Sequence, residues 1–202
     1  MPRVSLVVLA AGESKRFEAG NKLLFRVGGK SLIRRVVETA LASLASEVVV
    51  VTGHQAELVE VEISDIRDER LRVVRNPAYS EGMSSSVRVG VASASPESEA
   101  VAVLPADVAF ISPRAIDEVI LAYARRRPRI AVASHAGRSG HPILFDRSLI
   151  PEILQIDEAT MGLKAVVRRH RGEILRVPVG EREVLFDVDS LEDLRRGKGK
   201  VV

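Results

Sequence analysis

The sequence predicts an α/β fold in three layers, with helices on both faces of a doubly wound, mainly parallel sheet. Three observations carry this expectation. Apolar, β-branched runs of strand length recur at residues 4–9, 47–52, 71–74, 100–104 and 130–133. Helix-like segments separate them, so strand and helix alternate four times within about 130 residues. Most runs stop at small or turn-forming residues: Ala10-Ala11-Gly12, Gly53-His54, Asn76-Pro77 and Pro105-Ala106-Asp107. The right-handed crossover rule then gathers those loops on one edge of the sheet, where ligands of such folds bind.

Taken in order, residues 4–9 form the first buried strand, and the polar loop after Gly12 carries Ser14, Lys15, Arg16, Asn21 and Lys22. Residues 27–30 read as a turn. Ser31 is a good N-cap for a helix to about residue 43. Leu32, Ile33, Val36, Val37, Ala40 and Leu41 bury its one stripe. A Glu-rich helix follows the strand at 47–52, and the third strand ends at Asn76-Pro77. Residues 79–86 are polar and lead into a short helix, after which 100–104 is the fourth strand. Ser112-Pro113 opens a helix that reaches Arg127, ahead of the fifth strand.

From His135 the rhythm changes. Residues 137–141 read as a linker, 142–145 as a short strand, 148–156 and 161–170 as helices, 174–177 and 184–188 as brief strands. A last helix opens at Ser190. The 202 residues suit one well-buried domain. Residues 1–134 are read as its first half and 135–202 as a substrate-facing extension of the same sheet.

Composition removes several function classes. Without cysteine there are no disulfides, thiolate metal sites or cysteine nucleophiles. Aromatics are 3% of residues, too few for the stacking platforms of single-strand binders, and the net charge of +3 is no nucleic-acid arm. No apolar run approaches membrane-spanning length and no signal-peptide pattern opens the chain, so a cytoplasmic protein is expected, with no nucleic-acid or membrane partner.

The chemistry concentrates at strand ends. Small residues after the first strand leave bare backbone whose N–H groups can hold phosphate oxygens, and the loop's cations suit a ligand with several negative charges. A nucleoside triphosphate is the expected ligand. Other phosphate loops fail: Gly29-Lys30-Ser31 resembles the end of a P-loop, but Leu24 stands where its first glycine belongs, and no Gly-x-Gly-x-x-Gly follows the strand. Asp107, at the end of the fourth strand, suits a Mg²⁺ ion that takes one or two carboxylates plus phosphates; it could equally cap a turn. Asp187 and Asp189 are the candidate second acids. Alternation along a strand would let only one of them join Asp107. Ser84 to Ser86 could open a helix whose N–H groups face an anion. No closing glycine completes a nucleophile elbow at Ser14 or Ser84, so covalent catalysis is not expected.

Leu9-Ala10-Ala11-Gly12-Glu13-Ser14-Lys15-Arg16 followed by Lys22-Leu23-Leu24 resembles the signature loop of the nucleotidyltransferases with a glycosyltransferase-A-like fold, and within them the molybdenum-cofactor cytidylyltransferase branch. Asn76 with Gly82-Met83-Ser84-Ser85-Ser86 and Gly90, Gly140-His141-Pro142, and Asp187-Val188-Asp189-Ser190-Leu191-Glu192-Asp193-Leu194 match further segments of that family. Ala106 and Ala109 depart from its usual Gly- or Cys-Asp-x-Pro. The resemblance implies a nucleotide site made by Leu9, Ala10, Ala11, Gly12, Glu13, Ser14, Arg16, Lys22, Asn76, Gly82, Met83, Ser84, Ser85, Pro105, Ala106 and Asp107. Arg16, Lys22 and Asp107 would be catalytic. Asp107 and Asp189 would hold Mg²⁺, or Mn²⁺, and His141 would line the acceptor pocket. The implied reaction moves a nucleoside monophosphate, from CTP for preference, onto molybdenum cofactor with release of pyrophosphate, and the implied partner is a molybdenum oxidoreductase. Two other readings remain at this level: a nucleotidyltransferase for a sugar, polyol or isoprenoid phosphate, and a non-catalytic nucleotide- or cofactor-binding module.

Overall fold

The computed structural model describes residues 1–15, 17 and 20–198, with side chains through Leu194. In chain order the elements are β1 (Val4–Ala10), the small hairpin β2 (Arg26–Val27) and β3 (Lys30–Ser31), α1 (Leu32–Leu41), β4 (Glu47–Thr52), α2 (Ala56–Val61), β5 (Leu71–Arg75), α3 (Met83–Ser93), β6 (Ala100–Pro105) and α4 (Pro113–Arg126). They continue with β7 (Ile130–His135), β8 (Arg138–Asp146), α5 (Ile150–Ile153), α6 (Leu163–Arg169), β9 (Ile174–Pro178) and α7 (Leu191–Lys198).

The main sheet has the order β5-β4-β1-β6-β8-β7-β9 and is parallel except for β8, which runs against both neighbours. The chain winds outward from β1 to β4 and β5, then crosses back to place β6 on the other side of β1. The order therefore reverses between β1 and β6, and their carboxyl ends flank the crevice that such a reversal opens.

Strand alternation divides the core into two layers. Leu6, Val8, Val48 and Val50 pack with Ile33, Val37, Val59, Ile116 and Val119 of α1, α2 and α4. Val7, Val49, Val51, Val101 and Val103 point the other way, against Val87 and Val91 of α3, Ile153 and Val166. Ser31 and Ser112 cap α1 and α4 as expected, their hydroxyls accepting from the amides of Arg34 and Ala115.

Gly90 sits mid-helix in α3, where glycine costs about 1 kcal/mol against alanine. Packing explains its presence. A Cβ there would collide with Val7 Cγ1 and approach Val51 Cγ2 to 2.9 Å. Gly90→Ala is therefore expected to lower stability by about 1–2 kcal/mol despite its better helix propensity, read as a lower urea midpoint at unchanged slope.

The second half differs from expectation in two places. The supposed linker at 137–141 is part of β8. Ala136 and Gly137, both at positive φ, make the two-residue turn of a β7–β8 hairpin. The pairing with β7 is regular at Ile143, slips, and resumes at Ser139, so Gly140-His141-Pro142 bulges from the ladder. That bulge hid the strand, because glycine and proline read as breakers. Residues 184–188 are also no strand: a 3-10 turn covers Arg182–Leu185, and an extended segment without sheet partners leads to Asp189. The alternation argument for Asp187 and Asp189 thus has no ladder to act on.

At the β9 edge, His170 lies between Glu152 and Glu173, its Nε2 and Nδ1 each 2.8 Å from a carboxylate oxygen, with Arg129 and Arg169 closing the cluster. Hydrogen bonding to Glu173, then Glu152, raises the imidazole above its ordinary value. A raised folded value gives stability that is full below the unfolded pKa, about 6.5, and fades as pH rises through the folded one. The melting-temperature deficit of His170→Gln should therefore be largest near pH 6 and shrink steadily toward pH 9.

Candidate active site

The crevice between β1 and β6 opens into a cleft of about 370 Å³. Leu9, Ala11, Gly12, Glu13, Ser14 and Lys15 form one wall, Pro105, Asp107 and Asp189 the floor, and Tyr79, Ser80, Gly82, Met83 and Ser86 the far side. Phe17, Lys22 and Leu23 complete it. No heavy atom lies within 4 Å of where a Cβ on Gly12 would stand, so bare backbone faces the cleft there. Ser14 turns the loop at positive φ (54°), and its hydroxyl accepts from the Lys22 amide at 3.3 Å. Asn21 Oδ1 caps the turn Lys22–Leu24 by accepting from Leu23 N. The backbone that carries Lys22 is thus fixed from both sides.

A third, small core sets the floor. Phe17, Val27, Leu32, Ala109, Val188 and Leu194 bury together, tying the first loop, the hairpin, the loop after β6 and the C-terminal segment into one cluster. Val188 is fully buried and its amide donates to the Asp107 carbonyl at 3.0 Å. The next side chain, Asp189, therefore arrives beside Asp107, while Asp187 on the other side of Val188 is exposed. Ser190 caps α7: its hydroxyl accepts from Asp193 N, and Asp193 accepts from the Asp189 and Ser190 amides in return.

Lys22 joins the two acids. Its Nζ donates to Asp107 Oδ2 at 2.6 Å and to Asp189 Oδ1 at 3.2 Å, and its side chain is only 13% exposed. Asp107 Oδ1 is buried with no hydrogen-bond partner among the described residues, an unsatisfied acceptor. At the lip, a 2.6 Å pair with Lys15 holds the Glu13 carboxyl below the usual carboxylate range.

The other expected residues divide. Leu9, Ala11, Gly12, Glu13, Ser14, Lys22, Gly82, Met83, Pro105 and Asp107 line the cleft. Ala10 and Ala106 are buried beneath it in the core. Asn76 and Ser85 do not reach it: Asn76 Nδ2 donates to the Ser85 and Ser86 hydroxyls, and Ser85 Oγ to the carbonyls of Ala78 or Gly82. They build the turn that presents Tyr79 and Gly82. Ser84 is buried as well, its amide taken by Glu158 Oε1 at 2.6 Å. Arg16 lies outside the described residues. His141 sits on the β8 bulge, its Nδ1 buried without a partner; burial lowers its pKa against the opposing pull of the Asp107 charge.

Tyr79 and Ser80 line the cleft but carried no motif of their own, and Ser86, inside the Gly82–Ser86 motif, lines it as well. Gly53 admits the ring, since a Cβ there would stand 2.6 Å from Tyr79 Cβ. The Thr52-Gly53-His54 turn was the available signal.

A mostly parallel sheet with a basic loop and two acids at its reversal point is the arrangement of a nucleotidyltransferase. The chain belongs to the family whose model is described as the MobA-like NTP transferase domain, which matches residues 6–174. It is 28% identical to the nicotine blue oxidoreductase of Paenarthrobacter nicotinovorans, across 97% of both chains. It is 22% identical to the molybdenum cofactor cytidylyltransferase of Escherichia coli K12, across 98% of this chain and 97% of the other. Among solved structures, Rv0371c of Mycobacterium tuberculosis superposes with a TM-score of 0.83 at 22% identity over 98% of each chain. A complex of Rv0371c with manganese gives 0.73 over the same share of both. The chain is a member of a nucleotidyltransferase family, and no helix among its described residues is long and apolar enough to cross a membrane.

Proposed function

We propose that the chain moves a nucleoside monophosphate from a nucleoside triphosphate, CTP for preference, to molybdenum cofactor, releasing pyrophosphate. The observation that carries this reading is the convergence of Lys22, Asp107 and Asp189, from three distant parts of the sequence, at one end of the cleft. In the reaction an oxygen of the acceptor's phosphate bonds to the α-phosphorus as the bond from that phosphorus to the pyrophosphate oxygen breaks. The electron pair leaves with pyrophosphate. An ionised phosphate needs no general base.

Asp107 and Asp189 would hold Mg²⁺ or Mn²⁺. Oxygen donors suit either ion, and the unsatisfied Asp107 Oδ1 would gain a partner from a cation. Among the described residues no group of three metal-binding side chains exists, which accords with an ion completed by substrate phosphates. Such an ion supplies charge neutralisation at the transferring phosphate. The residues of the chain do the rest. Lys22, with Arg16 by resemblance, faces the triphosphate and stabilises the leaving pyrophosphate. The Gly12 backbone and the Gly82–Met83 turn take the nucleoside. His141, its pKa lowered by burial, belongs to the acceptor side, and residues 135–202 act as the acceptor half.

The cytidylyltransferase relative, aligned almost end to end, and the Leu9-Ala10-Ala11-Gly12 sequence support CTP. A second acceptor class has its own support: the fold is shared with a 4-diphosphocytidyl-2C-methyl-D-erythritol synthase of Anaerococcus prevotii, TM-score 0.76 at 16% identity. Pyrophosphate release measured for CTP, GTP, ATP and UTP against molybdenum cofactor, sugar phosphates and methylerythritol phosphate tests the reading. CTP with molybdenum cofactor is expected to be fastest with either metal. Faster turnover of another pair would replace the substrates named here.

A further inference from the structure

We infer that Lys22 is a tethered stand-in cation that keeps a divalent ion out of the Asp107–Asp189 pair until a triphosphate draws the ammonium away. The inference rests on the metal reading above and adds an order of binding to it. The ammonium lies within hydrogen-bond distance of both acids, where it neutralises one of their two charges and occupies space between them. The Lys22 backbone cannot retreat, since Ser14 and the Asn21-capped turn hold it. Only the four-carbon stem can move, and it lines the cleft together with Lys15. A dication entering between the acids would meet a like charge at contact distance, so its affinity is low while the ammonium stays. The phosphates of a nucleotide in the cleft offer the ammonium other partners. Once it turns to them, the acids are released. Metal and nucleotide then strengthen each other's binding by the same factor, as linkage requires.

The test is Mn²⁺ binding to the full chain, followed by loss of the free-ion paramagnetic resonance signal beyond that in protein-free samples of the same Mn²⁺ and CTP content, with and without CTP and with no acceptor present. Without CTP, Lys22→Met should bind Mn²⁺ at least about tenfold more tightly than the wild type, because the competing charge is gone. CTP should tighten Mn²⁺ binding to the wild type by a larger factor than to Lys22→Met. Lys22→Met combined with Asp107→Asn should lose the gain. Removing the lysine leaves two acids face to face, so folding is followed in parallel: Mn²⁺ should raise the melting temperature of Lys22→Met more than that of the wild type. Equal Mn²⁺ affinity in wild type and Lys22→Met overturns the stand-in role while leaving the metal pair intact. Absence of Mn²⁺ binding in Lys22→Met even with CTP, or undiminished binding in the double variant, overturns the metal pair and this inference with it.

Discussion

Asp107→Ala should lower metal-dependent pyrophosphate release by about 10³-fold or more while the protein remains folded. The size follows from what the residue touches. Its carboxylate accepts from Lys22, and its main-chain carbonyl accepts from the Val188 amide in the segment that carries Asp189. Removing the side chain deletes half of the acid pair and leaves Lys22 with Asp189 alone, so under the proposed reaction both the metal pair and the lysine would be displaced. The fold should tolerate the change, because the Val188 bond uses the Asp107 backbone and the Val188 and Ala109 side chains stay buried. A melting temperature within about 3 °C of the wild type, together with the activity loss, separates a site effect from a folding one; 1 kcal/mol corresponds to about 2–4 °C for a chain of this size. Turnover near the wild-type rate would remove Asp107 from the mechanism. Asp187→Ala is the control: that side chain is exposed, so little loss is expected.

The first half of the fold was legible because most of its strands are short, apolar and bounded by turn residues, and because α1 and α4 carry both a serine cap and an apolar stripe. The fully buried Val48 to Val51 run could be nothing but an interior strand. Legibility failed where tertiary contact overrides local signal. The segment 138–141 is polar and broken by Gly140 and Pro142, yet it is a strand, because β7 and the turn at 182–185 lie on either side of it. Residues 184–188 are short and largely apolar like a strand but are held by Val184 and Val188 entering two different cores. At the site, the acids and the lysine were visible as residue types at strand ends. Their direct ion pairing was not, since nothing local says that a lysine at 22 reaches an aspartate at 189. Asn76 and Ser85 fail to face the cleft for the opposite reason: as buried polar groups they satisfy one another, and no sequence pattern distinguishes that from a ligand contact.

Gly140→Ala should be the most damaging single-methyl change within residues 135–202. A Cβ at this position would collide with the Val184 carbonyl oxygen and stand 2.7 Å from its carbon. The obstacle is backbone, so no rotamer change relieves it, and either the β8 bulge or the 182–185 turn must move. Overpacking of this kind costs about 1–3 kcal/mol, and a backbone collision belongs at the upper end, a fall of about 6–12 °C in melting temperature. Both ways of yielding reach the site. Moving the bulge shifts His141, whose unpartnered Nδ1 depends on its present burial. Moving the turn pulls on Val188, whose single hydrogen bond to Asp107 is what brings Asp189 to Lys22. Gly140→Ala should therefore weaken Mn²⁺ binding measured in the presence of CTP as well as stability, whereas Gly90→Ala, which meets only the Val7 and Val51 side chains of the core, should lower stability alone. Equal metal affinity in the two variants would show that the 182–189 segment is not the strut that positions Asp189.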